Sequence, residues 1–144
     1  MHTATTDLAS YPERYFASWN QRDIEQALDA FAPTLRWTDP LLPTPLTSRE
    51  GARGFLLFGW EAFPDLRFEP VGRPLVDEVA RTVAQEWIMT GSDSGVGYRP
   101  GEAPSGRSFE VAGMDVWGVD EHGRAVSVAA YWDAGHLSRQ LSPS

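Results

Sequence analysis

Apolar residues recur along the first sixty positions at intervals of three and four. Leu8, Tyr11, Tyr15 and Trp19 form one such stripe and predict a helix over residues 7–20. Pro12 is tolerated only near a helix start, so the regular turns can begin there. After the break "NQRD", Asp23 and Gln26 resemble a capping box opening a second helix over 24–31, with Ile24, Ala27, Leu28 and Phe31 inward and Pro33 as its stop. Thr47 and Glu50 give another capping signal, for a third helix running to about residue 63 with Phe55, Leu56, Phe58 and Trp60 as its bulk. Gly51, Gly54 and Gly59 weaken that helix intrinsically, so packing must hold it.

The period then changes to two. "LRFEPV" and "RTVAQEWIMT" read as strands, the second with Val83, Gln85, Trp87 and Met89 on one face. "GSDSGVGYRPGEAPSG" is a long loop by its Gly, Pro and Ser content. "RSFEVAGMDVWGV" and "AVSVAAYWD" follow as strands around the turn "DEHGR", and "GHLSRQL" can form a last helical turn. Helices first and strands afterwards predict a single α+β domain over residues 1–144, a curved antiparallel sheet folded around three N-terminal helices.

Composition narrows the function. Net charge is −8 with no basic run, which argues against nucleic acid and anionic membrane surfaces as partners. Every cation is arginine; without lysine, Schiff-base chemistry is excluded. Without cysteine, disulfides and thiolate catalysis drop out, and His2, His122 and His136 lack metal-ligand spacing. The start "MHTATTDLAS" has neither the basic nor the apolar part of a signal peptide, and no apolar run approaches the ~20 residues of a membrane span. The expectation is a soluble cytoplasmic protein without cofactor or metal. Six Trp and seven Phe can line a cavity for an apolar small molecule.

Carboxylates interrupt the apolar faces. In "LRWTDPLL" a strand would place Leu35, Trp37 and Asp39 on one face, although Asp-Pro also opens turns. On the strand after the loop, Asp115 shares its face with Phe109, Val111 and Trp117; desolvation there raises a carboxyl pKa. Asp133 shares a face with Ser127, Ala129 and Tyr131 but sits at the strand end, where a capping role is equally natural. Two aspartates and a helical tyrosine, Tyr15, suit proton abstraction beside a carbonyl: a base, and donors that stabilise an enolate in a dry site. A carboxylic acid kept neutral can be such a donor. Trp19, Trp37, Phe55, Trp87, Trp117 and Tyr131 are candidate cavity walls, and as residues alone they read equally as core. Trp132 and His136 read as packing or rim, and Arg107 as a surface charge.

The segment "ERYFASWNQRDIEQALDAFAPTLRWTDP" resembles the opening of ketosteroid isomerase. The resemblance implies Tyr15 as oxyanion-hole tyrosine, Asp39 as general base and, through "VAGMDVW", Asp115 as the protonated aspartate. Thr90-Gly91, Pro104-Ser105-Gly106-Arg107, Gly113-Met114-Asp115-Val116-Trp117 and the tail "AYWDAGHLSRQL" are similar to SnoaL-like polyketide cyclases. Both families belong to the nuclear-transport-factor-2-like superfamily, whose fold is a cone of sheet closed by helices around a cavity. The cyclase likeness implies Asp133 as a late-strand acid/base, and the superfamily implies a homodimer formed through the sheet. Limonene epoxide hydrolase, a third relative, is matched less well. Ala130 stands where its final-strand Asp falls, and Glu86-Trp87-Ile88 replaces its Arg-x-Asp. The implied activity is cofactor-independent acid–base catalysis beside the carbonyl of a cyclic or polyketide-like ketone. The alternatives are a non-catalytic small-molecule-binding or accessory domain, or an epoxide-opening cyclase that would need Asp133 or Glu86.

Overall fold

The computed structural model describes residues 7–143; His2 and the rest of the segment before Asp7 lie outside the described residues. A 3-10 turn at Leu8–Ser10 leads into α1 (Tyr11–Gln21), so the predicted first helix is split. Pro12 lies in the first turn of α1, where no intrahelical N–H is required. The stripe lands as expected, with Leu8, Tyr11, Tyr15 and Trp19 all buried, and Phe16 is buried beside it. α1 ends at Arg22, a left-handed residue (φ 55°) whose guanidinium donates to the carbonyls of Pro64 and Leu66. Asn20 brackets Phe68, its Oδ1 accepting from the Phe68 N–H at 2.8 Å and its Nδ2 donating to the Phe68 carbonyl at 2.9 Å. These contacts lock the end of α1 onto the sheet.

α2 (Ile24–Asp29) is capped by Asp23, whose carboxylate accepts from the Gln26 N–H at 3.0 Å. It stops two residues short of the expected end. Pro33 forces the residue before it towards extended backbone, and Phe31 already opens β1 (Phe31–Thr38). α3 (Arg49–Ala62) follows the short β2 (Leu46–Ser48) and is capped by Ser48, not Thr47: Ser48 Oγ accepts from the Gly51 N–H at 3.1 Å. Thr47 is in β2, where its backbone is committed to the sheet.

β3 (Arg67–Asp77), β4 (Thr82–Ser92), β5 (Ser108–Val119) and β6 (Ala125–Trp132) complete a curved, unclosed sheet of order β2-β1-β6-β5-β4-β3. Its pairs are antiparallel except β1 with β6, which run parallel. The expected all-antiparallel sheet is therefore mixed, because the amino-terminal strand enters beside the last one rather than beside its neighbour in sequence. A register shift between Phe31 and Arg36 spans Pro33, which has no N–H to give the ladder. A second shift lies between Val71 and Leu75 of β3. There the buried Gln85 side chain donates to the carbonyls of Val71 (2.9 Å) and Gly72 (3.3 Å), which explains a polar residue on the inner face. The long loop is closed by Asp93, which exchanges backbone bonds with Gly106 and Arg107 and accepts from the Ser105 N–H.

The expected last turn is an eight-residue helix, α4 (Ala134–Leu141), with Leu137 and Leu141 fully buried against the sheet. Among the described residues no helix is long and apolar enough to cross a membrane.

Gly113 shows how sequence sets the packing above the sheet. It pairs with Trp87 on one side and Trp132 on the other. A Cβ there would stand 2.5 Å from Trp87 Cη2 and 2.8 Å from Trp132 Cβ. Only glycine lets the Trp87 indole lie across β5. Gly113→Ala is expected to destabilise the fold by about 1–3 kcal/mol through overpacking, read as a lower denaturation midpoint. An unchanged midpoint would show that the indole is not pinned.

Candidate functional site

The open side of the sheet and helices α1 and α3 enclose one apolar cavity of about 50 Å³. Its deep wall is made of buried side chains, Tyr15 and Trp19 from α1, Trp37 from β1, Phe68 from β3, Trp87 from β4 and Asp115 from β5. Its mouth is half-exposed and formed by Asp39, Leu41, Phe55, Phe58, Ala130 and Trp132. Among the described residues, Asp39 and Asp115 are the only acidic ones that line it, and no Arg or His does.

The two carboxyls differ in setting. Asp39 follows β1 in a turn, with Leu42 N–H donating to its carbonyl and Leu41 N–H donating to Oδ1, both at 2.9 Å. Oδ2 accepts from the Trp132 indole at 3.3 Å. The turn reading and the cavity reading of this residue are therefore compatible: the turn aims the carboxylate inward. Burial raises the Asp39 pKa, and the Leu41 and Trp132 donors hold it down.

Asp115 is 4% exposed, and its Oδ1 meets no partner. Its cross-strand neighbours are Gln85, whose amide is spent on the β3 carbonyls, and Ala130, which is too small to reach it. Desolvation pushes its pKa up to about 8. The Trp87 N–H opposes this from nearby without hydrogen-bond geometry, and the charge of Asp39 adds to the rise. At neutral pH Asp115 is thus mostly a neutral acid, able to donate. Tyr15 is 3% exposed, and its pKa is raised well above 10 by burial and then by Asp115, so it too is a donor.

The structure thus brings Tyr15, Asp39, Asp115, Trp19, Trp37, Phe55 and Trp87 to one cavity. Three expected site residues are not there. Trp117 is fully buried behind the cavity wall, packed on Tyr11, Tyr15 and Phe16 with ring centroids 5.1–5.8 Å away. Tyr131 is 62% exposed on the other face of β6. Asp133 is exposed, does not line the cavity and caps α4, accepting from the His136 N–H at 3.2 Å, which is the capping role the sequence offers beside the acid/base one. Glu86 is likewise exposed and away from the cavity. The phase of β6 was the source of the error: Val128, Ala130 and Trp132 face inward, but small residues on both faces hide the alternation. Trp132 stands at the cavity rim, one of the two places its sequence allows, and its indole bond to Asp39 is the part no sequence signal carries.

A family model described as a SnoaL-like domain matches residues 13–128. No curated protein sequence matches. Among solved structures the chain is similar to IdmH of Streptomyces antibioticus, described as a candidate polyketide cyclase (22% identity, 94% of this chain and 98% of that one, TM-score 0.76). It is also similar to a candidate SnoaL-like polyketide cyclase of Jannaschia sp. CCS1 (18% identity, 100% and 97% covered, TM-score 0.82). A third is SalBIII, an epoxide hydrolase/cyclase-like enzyme of pyran ring formation in the polyether salinomycin (16%, 90% and 92%, TM-score 0.74). At these identities the structural likeness speaks for the fold, a nuclear-transport-factor-2-like cone.

The state of Asp115 has a consequence for stability. Its folded pKa of about 8 exceeds the ordinary 3.8, so between these values the folded chain binds the proton more than the unfolded chain does. Stability therefore falls as pH rises through that window, and the loss is complete above it. The melting temperature of the wild type is expected to drop more steeply between about pH 4 and pH 8 than that of Asp115→Asn. Parallel slopes would show that the carboxyl ionises freely.

Proposed function

The chain belongs to the SnoaL-like family, and from that premise we propose a cofactor-independent acid–base enzyme that acts beside the carbonyl of an uncharged, apolar, polyketide-like ketone. The observation that carries the reading is one apolar cavity holding a half-exposed, hydrogen-bonded Asp39 and a buried, unpartnered Asp115 with Tyr15. Environments that push two acids apart supply a base and an acid at one pH.

In this mechanism Asp39 removes a proton from the carbon next to the carbonyl. The electron pair moves onto the carbonyl oxygen, where Tyr15 and neutral Asp115 donate hydrogen bonds. The enolate carbon then attacks a second carbonyl of the same molecule. A carbon–carbon bond forms, and the new alkoxide takes back the proton from Asp39. No cofactor enters the balance. Two acids and no cation on the wall disfavour a substrate with a free carboxylate near the reacting end. The enclosed part of the cavity, about 50 Å³, fits only the reacting end of a polyketide-like molecule. The remainder extends past Leu41 and Phe58 at the mouth.

Asp39→Asn is expected to lower turnover of a diketone test substrate on the order of a thousandfold while still binding 2-naphthol, a mimic of the enolate. In wild type, kcat/KM falls above about pH 8 as Asp115 ionises, and Asp115→Asn loses that alkaline limb. A product with a shifted double bond and no new ring would make the enzyme an isomerase. Opening of an epoxy-alcohol with no ketone turnover would mean the same pair works on a strained ether. Naphthol binding with no turnover of either would make it a binding domain.

A further inference from the structure

We infer that the indole N–H of Trp87 is a third donor to the oxygen addressed by Asp115 and Tyr15, so that neutral groups alone hold the charge forming there. The inference rests on the enolate reading above and adds a polar role to a residue that the sequence pattern offers only as cavity wall or core.

Its evidence is two unpartnered groups side by side on one wall; the Trp19 and Trp37 Nε1 groups of that wall also meet no acceptor, but neither lies on a strand next to that of Asp115. Trp87 is 2% exposed and its Nε1 meets no acceptor; Asp115 is 4% exposed and its Oδ1 meets no partner. They project to the same face from adjacent strands, with Trp87 opposite Gly113 and Asp115 two residues further along β5. The N–H is near enough to Asp115 to oppose the rise in its pKa, yet the two do not bond each other. The indole is held from both sides. Gly113 leaves it room, and Phe68 stands at 90° to it with a centroid distance of 5.3 Å. A buried N–H without a partner is unfavourable, and an oxygen bearing negative charge is its strongest neutral-site acceptor. One ligand oxygen accepting from both Trp87 and the Asp115 carboxyl would satisfy the two groups together. Among the described residues no Arg or His lines the cavity, so developing charge there meets such dipoles.

The test is indole NMR on the ¹⁵N-labelled protein with 2-naphthol as probe. Six tryptophans give six indole signals; that of Trp87 is identified by its loss in Trp87→Phe. It is expected to move downfield when naphthol binds, in wild type and in Asp39→Asn alike. Replacing Trp87 with benzothienylalanine keeps the ring shape and removes the N–H, and is expected to weaken binding of 2-naphthol roughly ten- to a hundredfold. That variant keeps the test decisive if Trp87→Phe misfolds. A Trp87 signal that stays put on binding, or benzothienylalanine protein with unchanged affinity, overturns the inference and leaves the enolate reading standing. A wild type that binds no naphthol overturns both.

Discussion

Asp115 sits in a wall of aromatic rings where no protein group satisfies its Oδ1. Burying an ionised carboxylate in this way costs several kcal/mol, comparable to a domain's whole margin of stability. The fold meets that cost by keeping the proton on the acid, which converts a structural liability into a hydrogen-bond donor. The properties of the cavity follow from this. A neutral acid at the deep end and a half-buried, hydrogen-bonded carboxyl at the mouth are the pair on which the proposed acid–base chemistry rests. The separation depends on Asp39 keeping its two donors, Leu41 and Trp132, while Asp115 has none of comparable geometry.

The frame that holds this arrangement is built largely from arginine and glycine. The two non-glycine residues with positive φ, among those described, are Arg22 and Arg81. Each sends its guanidinium to two carbonyls elsewhere in the chain, Arg22 to Pro64 and Leu66 and Arg81 to Val119 and Asp120. A strained turn is thereby held by charge-assisted bonds that a flexible ammonium would make less well. Gly59 and Gly113 act on the other side of the balance. At Gly59 a Cβ would stand 3.1 Å from the Trp19 ring, as Gly113 does for Trp87. Rings as large as indole line a small cavity only where the facing backbone gives way.

Much of the architecture was legible because period and capping are local. The α1 stripe, the Asp23 cap, the inner face of β4 and the inner face of β5 all follow from side-chain alternation and from apolar residues wanting one side. Asp115 was legible for the same reason, since an acid among Phe109, Val111 and Trp117 has no local excuse. Where local signals were ambiguous the reading slipped. The cap of α3 moved from Thr47 to Ser48, and Pro33 ended α2 earlier than its apolar pattern did. The phase of β6 was hidden by alanines on both faces, which exiled Tyr131 and Asp133 from the site and concealed the Trp132 bond to Asp39.

The amino-acid sequence by itself therefore determined most of the elements though not β2, the inward direction of Asp115 and the absence of lysine or cysteine chemistry. These depend on each residue and its near neighbours in the chain. Only the tertiary structure decided that β1 lies parallel to β6, that Trp132 grips Asp39 across 93 positions, and that Trp117 is wall backing while Trp87 is wall. Those outcomes depend on which strand edges meet and how indoles divide the space between them. That division is a property of packing in three dimensions, which no periodicity encodes.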